Sequence, residues 1–298
     1  MGSTKFGNFN EFCRDSTLPV CNLFSPTDDH TDDQNAWGGC QLKGIPLSGD
    51  RQLANLGSII LCGVAIAASV GLLLRSERKR AAVGRREIQV FLLGYLLISI
   101  CEIFSVGGFP ISSKVRLAFS AIHIGAIAAT CWILFLNGIV GFQLIDDGTP
   151  LSLGLLGGSA LVILIGVGYI ALDTGFKFTG YWDSSLSEQN RHLALYVLYL
   201  LLPLLALVLY FVLETVLVLR ILGETRPMLY LLAAAVAFAA GQVFDFVVSP
   251  YICNGTAGKI DGAPFETLFT LVSVVLVWLF WSSITEDDWP IDQSNPYP

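Results

Sequence analysis

Four ionisable residues, Glu102, His123, Asp245 and Glu266, fall within long apolar stretches. A charged side chain at such a depth is costly enough that it needs a partner or a task. Glu102 and His123 each lie about seven or eight residues from the same end of their stretches, ~10–12 Å deep at 1.5 Å per residue. A carboxyl–imidazole pair between them would let each satisfy the other. Asp245 and Glu266 approach the membrane boundary on that same side. The four together would line a polar cavity able to hold a ligand or the polar groups of another membrane helix. The simpler reading is that they reach for water or close internal hydrogen bonds. Glu214, near the opposite boundary, is expected to snorkel. Cys13, Cys21, Cys40 and Cys253 form a second constellation, outside the apolar stretches that hold Cys62, Cys101 and Cys131. In an oxidising compartment an even set of four thiols has three possible pairings. Two disulfides are expected, one joining the N-terminal segment to the loop that carries Cys253. Zinc is not, since only His30 is near and metal-type spacings are missing. No cofactor-binding or catalytic set is read from the chain.

The elements that must position these residues are membrane helices. Of 298 residues, 54% are apolar and 14% are charged, against roughly 25% charged in soluble domains. The apolar residues gather in blocks of about 20, the length a bilayer core demands. Seven such blocks run Leu53–Leu74, Ile88–Phe109, Val115–Leu136, Leu151–Leu172, Leu193–Leu219, Met228–Val248 and Ala263–Ser283. Pro203 should kink the fifth. The fold class is therefore an all-α polytopic membrane protein with seven transmembrane helices. The organisation is an N-terminal segment over 1–52, a membrane domain over 53–283 and a short acidic tail over 284–298. No apolar stretch in the first 52 residues resembles a cleavable signal, so the first helix is expected to act as one. The net charge of −7 reflects acidic ends, and no basic stripe suggests nucleic acid.

Orientation follows from the basic residues that flank the helices. Arg75, Arg78, Lys79, Arg80, Arg85 and Arg86 crowd the first connector, and Arg220 and Arg226 flank the third on that side. Lys114, Arg116, Lys177, Arg191 and Lys259 are spread over the opposite side. The N-terminus is thus expected in the lumen or outside the cell, and the C-terminus in the cytosol. The four outlying cysteines then share the oxidising side.

Short motifs are distributed along nearly the whole chain. They are Ala82-Val83-Gly84-Arg85-Arg86-Glu87-Ile88, the stretch from Gly141 through Asp146-Asp147-Gly148-Thr149-Pro150 to Ser152, and Ala240-Gly241-Gln242-Val243. Further on come Asp261-Gly262 and the run from Trp281 to Glu286-Asp287-Asp288. Near the ends stand Phe12-Cys13, Leu18-Pro19-Val20-Cys21, Cys40 and Ile252-Cys253. In order and spacing the set resembles the fungal chitin synthase export chaperones. That resemblance implies a multi-pass protein of the endoplasmic reticulum membrane, with chitin synthase as its client and a part in cell-wall chitin synthesis. It also allows onward travel to the plasma membrane with that client.

Each motif also has a local physical reading. Gly148 and Pro150 punctuate a turn, and Asp146 or Asp147 can cap the following helix. Arg85, Arg86 and Glu87 fit topology and helix capping. Either group is also a candidate for docking the client. Glu286, Asp287 and Asp288 offer an acidic pattern of the kind that export coat proteins read. Asn254 heads a glycosylation sequon close to Cys253, where efficient modification is not expected. Gly154, Gly157, Gly158, Gly166 and Gly168 should serve close packing within the bundle, with a partner interface as the lesser reading. Connectors this short leave no room for a sugar-nucleotide domain, so an enzyme is not expected. A seven-helix receptor or a small-molecule transporter with a lumenal polar cavity is the alternative.

Overall fold

A computed structural model describes residues 6–24, 39–40, 42–46, 52–80, 82–109, 111–143, 146–182 and 191–285. Two short helices, α1 (Asn10–Asp15) and α2 (Cys21–Phe24), precede a two-stranded pairing of β1 (Ile45–Pro46) with β2 (Gln52–Leu53). Seven long helices follow: α3 (Leu56–Arg78), α4 (Arg85–Ser105), α5 (Ser113–Val140), α6 (Pro150–Phe176), α7 (Leu193–Leu222), α8 (Arg226–Gly255) and α9 (Ala263–Ile284). All seven are long and apolar enough to cross a membrane. Large apolar side chains such as Val162 (71% exposed) and Leu229 (69%) cover the outer surface, as they do on proteins solvated by lipid.

Local chemistry sets the helix boundaries. The Asn55 side chain accepts from Ser58 N (3.3 Å) to start α3, and Gly84 at φ +69° turns the chain into α4. Thr149 accepts from Ser152 N (3.2 Å), and Pro150 occupies the first position of α6, where a missing N–H costs nothing. Pro203 and Pro250 lie inside α7 and α8. Neither ring can donate to the preceding turn, and the backbone answers with widened turns at Tyr196–Leu201 and Phe244–Val248. At Pro203, where a kink is expected, the structure shows this widened turn. The sixth helix also continues through Pro250 to Gly255, beyond the apolar block that ended at Val248.

Helix α5 lies at the centre, against α4, α6 and α7, and α9 packs on α8 and α3. Close crossings depend on small residues. A Cβ on Gly125 would sit 2.7 Å from Leu164 O of α6, and one on Gly94 2.5 Å from Thr130 Oγ1 of α5. By contrast α7 and α8, although consecutive, barely touch. The four outlying cysteines gather at one end of the bundle, here the disulfide end. The Arg- and Lys-rich α3–α4 connector lies at the other, the basic end.

Candidate functional site

At the disulfide end residues 6–24 form a plug. Phe9 and Val20 are fully buried in an apolar cluster with Leu117, Ala121, Ile124 and Tyr199. Two disulfides hold the plug, Cys13–Cys21 (Cα–Cα 5.5 Å) and Cys40–Cys253 (6.0 Å). Asp261 supplies a third tie. It accepts from Thr17 Oγ1 (2.6 Å), Asn55 Nδ2 (2.7 Å) and its neighbour Ala263 N (3.2 Å). Burial lifts the Asp261 carboxyl above its usual range, and these hydrogen bonds partly offset that lift. Thr17→Val should lower thermal stability by about 1 kcal/mol, and Asp261→Ala by more, because it leaves buried Asn55 and half-buried Thr17 both without their acceptor. Melting of the detergent-solubilised protein checks both, and equal losses would show that Asp261 is not the hub.

Beneath the plug lies a cavity of about 520 Å³ between α4, α5, α7, α8 and α9. Its walls are mainly aliphatic and aromatic, and Glu102, His123, Asp245 and Glu266 all face it. Glu102 accepts from Thr267 Oγ1 of α9. Glu266 accepts from Thr270 Oγ1 (2.8 Å), and His123 Nδ1 lies 2.8 Å from Ser105 Oγ. Asp245 is 4% exposed, and its Oδ1 has no hydrogen-bond partner.

At the basic end a knot of hydrogen bonds is tied around Glu87, which is fully buried. Its Oε1 accepts from Gly148 N (2.8 Å) and Ser152 Oγ (2.8 Å), and its own carbonyl accepts from Asn137 Nδ2 (3.3 Å). Asp147 Oδ2 accepts from Gly84 N (2.8 Å), so the two connectors clasp each other. Helix α9 joins through Trp281 Nε1 to Val83 O (2.8 Å) and Trp278 Nε1 to Ser76 Oγ (2.8 Å). Lys79 Nζ also donates to Ser282 O (3.0 Å). Three segments far apart in sequence thus meet at one place.

The chain matches the chitin synthase export chaperone family model over residues 5–295. It is 34% identical to the chitin synthase export chaperone of Cryptococcus neoformans, covering 95% of this chain and 76% of that one. With the namesakes from Emericella nidulans and Aspergillus fumigatus it shares 30% and 31% identity, over 95% of this chain and 84% of each. The chain belongs to the chitin synthase export chaperone family. No solved structure matches it.

The motifs that carry the family resemblance fall almost entirely on the two polar centres. The segments at 82–88 and 141–152, with Trp281, build the basic-end knot. Gln242, Asp261 and the cysteines belong to the cavity and its plug. Several expectations change in this family member. Glu102 and His123 face one cavity but do not pair, because Thr267 and Ser105, closer to hand, take their hydrogen bonds. The cap of α6 is Thr149 rather than Asp146 or Asp147; Asp146 is exposed, and Asp147 is drawn across to Gly84. Glu87 caps nothing in its own helix and reaches over to α6.

Arg86 is exposed and pairs with Glu77 (2.8 Å), while Arg85 Nη1 lies 3.5 Å from Glu77 O. Glu214 does not snorkel. It is 5% exposed, with Oε2 unpartnered. Nor do Gly154, Gly157, Gly158 and Gly166 pack within the bundle, since a Cβ at any of them would meet open space. Asn254 is exposed in the last turn of α8, beside the disulfide-bonded Cys253. Glu286, Asp287 and Asp288 lie outside the described residues. Sequence reasoning missed Tyr95 and Thr267 and gave Gln242 no place beside the carboxylates, though all three line the cavity. Their signal was helical spacing, since Tyr95 with Glu102 and Gln242 with Asp245 each share one face.

Proposed function

We propose that this chain is a membrane chaperone that holds a chitin synthase in the endoplasmic reticulum membrane until the synthase is fit for export. The observation that carries the reading is the family match along nearly the whole chain, with the family's motifs gathered at two built polar centres. Its work is holding rather than catalysis. The client contact is the outward face of α6, where Gly154, Gly157, Gly158 and Gly166 leave the backbone open to a neighbour. In lipid, small residues permit close helix approach and so supply association energy that large apolar side chains do not. The clasped connectors of the basic end present Arg86 and Asp146 beside that face, as a cytosolic docking turn.

The disulfide end faces the lumen and the basic end the cytosol. Clustering of both disulfides at one end supports this orientation, because such bonds persist in oxidising compartments, and so does the arginine-rich connector at the other. The acidic residues Glu286, Asp287 and Asp288 in the tail would then be available to export coat proteins. The same reading allows the chaperone to accompany its client to the plasma membrane.

Deleting the gene should leave chitin synthase in the endoplasmic reticulum, and the wild-type chain should restore its delivery. A Gly157→Leu/Gly158→Leu pair should fold normally, melting within about 0.5 kcal/mol of wild type as an exposed change does, yet fail to restore delivery. A photocrosslinker at position 158 should capture the synthase. Normal surface delivery in the deletion strain would reject the chaperone role. Crosslinks from other helices only would reject the α6 contact.

A further inference from the structure

The cavity under the plug holds a chemical imbalance that client holding leaves unused. Glu102, Asp245 and Glu266 converge on it, and no Lys or Arg lines it among the described residues. Asp245 adds a second, separate observation, an oxygen with no partner on a side chain that is 4% exposed and faces this space. An unpaired polar oxygen so placed is costly and needs a partner.

The complementary group is a cation, and the surroundings say which kind. Among the described residues no group of three or more His, Cys, Asp or Glu stands close enough to hold a metal ion. Thr267 and Thr270 already occupy one oxygen each of Glu102 and Glu266. Tyr95, Tyr199 and Phe246 contribute ring surfaces to the walls, which suits an organic ammonium lying over aromatic faces. The remaining wall is mostly aliphatic and aromatic, with His123, Gln242 and a few hydroxyls among it, so the ammonium should carry an apolar body. At about 520 Å³ the space falls in the range of small-ligand sites, about 300–1,000 Å³. A helix ~10 Å across and ~5.4 Å per turn would fit little more than one turn there, so the occupant is not a membrane helix.

Access also favours an amphiphile. Leu201 and Leu204 of α7 line the cavity and are 39% and 56% exposed, beside the seam where α7 and α8 barely touch. The seam faces the bilayer, where such molecules reside.

We propose that the cavity binds a single-chain amphiphile through its protonated primary amine, seated against Asp245 and between Glu102 and Glu266, with the chain directed along the α7–α8 seam. Binding is read on the purified full-length protein, apart from any effect on export. The probes are dodecylamine, dodecanol as the same chain without charge, and lysophosphatidylethanolamine as the amine on a lipid headgroup. Dodecylamine at a hundredfold excess over its Kd should raise the melting midpoint by about 5 °C, and dodecanol should leave it unchanged. Asp245→Asn and Glu266→Gln should each weaken amine binding at least ~10-fold.

If lysophosphatidylethanolamine also stabilises the protein, the natural source is a lipid headgroup. If only dodecylamine does, it is a free amine without phosphate. Equal shifts with amine and alcohol, or no shift with either amine, would overturn the proposal without need of a variant. So would unchanged affinity in both carboxamide variants.

Discussion

Cys40→Ser lowers the stability of the folded chain by about 2–4 kcal/mol, and Cys253→Ser lowers it equally. The two cysteines are 213 residues apart in sequence, so their bond closes nearly the whole membrane domain into a loop. Chain-entropy reasoning gives long loops the greater effect. In lipid the unfolded chain keeps its helices, which holds the effect below the figure that so long a loop would give in water. The double variant should lose no more than either single one, because both remove the same bond. Melting of purified protein with and without reductant checks this, and reductant should bring wild type down to the level of the Cys40→Ser variant plus the contribution of Cys13–Cys21. An unchanged midpoint in both single variants would mean that the plug is held by packing alone.

Glu87→Ala should cost about 3–5 kcal/mol, since it removes a buried carboxyl that accepts two hydrogen bonds. Buried Ser152 Oγ would be left facing an apolar void and Gly148 N would lose its partner, and the clasp between the two connectors would rest on Asp147 alone. Glu87→Gln separates charge from geometry. Its amide oxygen can still accept both hydrogen bonds, so the loss should stay below about 1 kcal/mol. If Gln is as damaging as Ala, the negative charge is what the knot requires. If neither matters, the tryptophans of α9 hold the basic end without it.

Much of the architecture was legible because a bilayer leaves the chain few choices. Apolar blocks of about 20 residues announce helices, and the observed α7 and α9 begin at Leu193 and Ala263, as the blocks did. The continuation of α8 was not legible, because Pro250 reads as a stop in a single sequence. Only the turn widened around Asp245 shows how the helix passes it. The two disulfides were foreseen because Cys13, Cys21, Cys40 and Cys253 share one side of the bundle, and which cysteine joins which needed the fold. For Glu102 and His123 the shared cavity was readable but their depth and azimuth were not. Glu102 lies three residues from the end of α4 at Ser105 and His123 ten from the start of α5 at Ser113, rather than at the equal depth expected, and hydroxyl groups on Thr267 and Ser105 satisfy them separately. Thr149 and Asp147 show a similar limit, since two residues in one turn can each serve as a cap and only packing decides which side chain is pulled elsewhere.

Several ties that complete this molecule join residues made far apart in time. The partner of Glu102 follows it by 165 residues, that of Asn55 by 206, and that of Cys40 by 213. At ~5–20 residues per second of synthesis, each waits on the order of 10–40 s at a membrane already receiving helices. A chain that stalls before the end of α8 would therefore leave a glutamate and a thiol exposed to quality control, so the guardian of another protein's export is itself a late-maturing passenger.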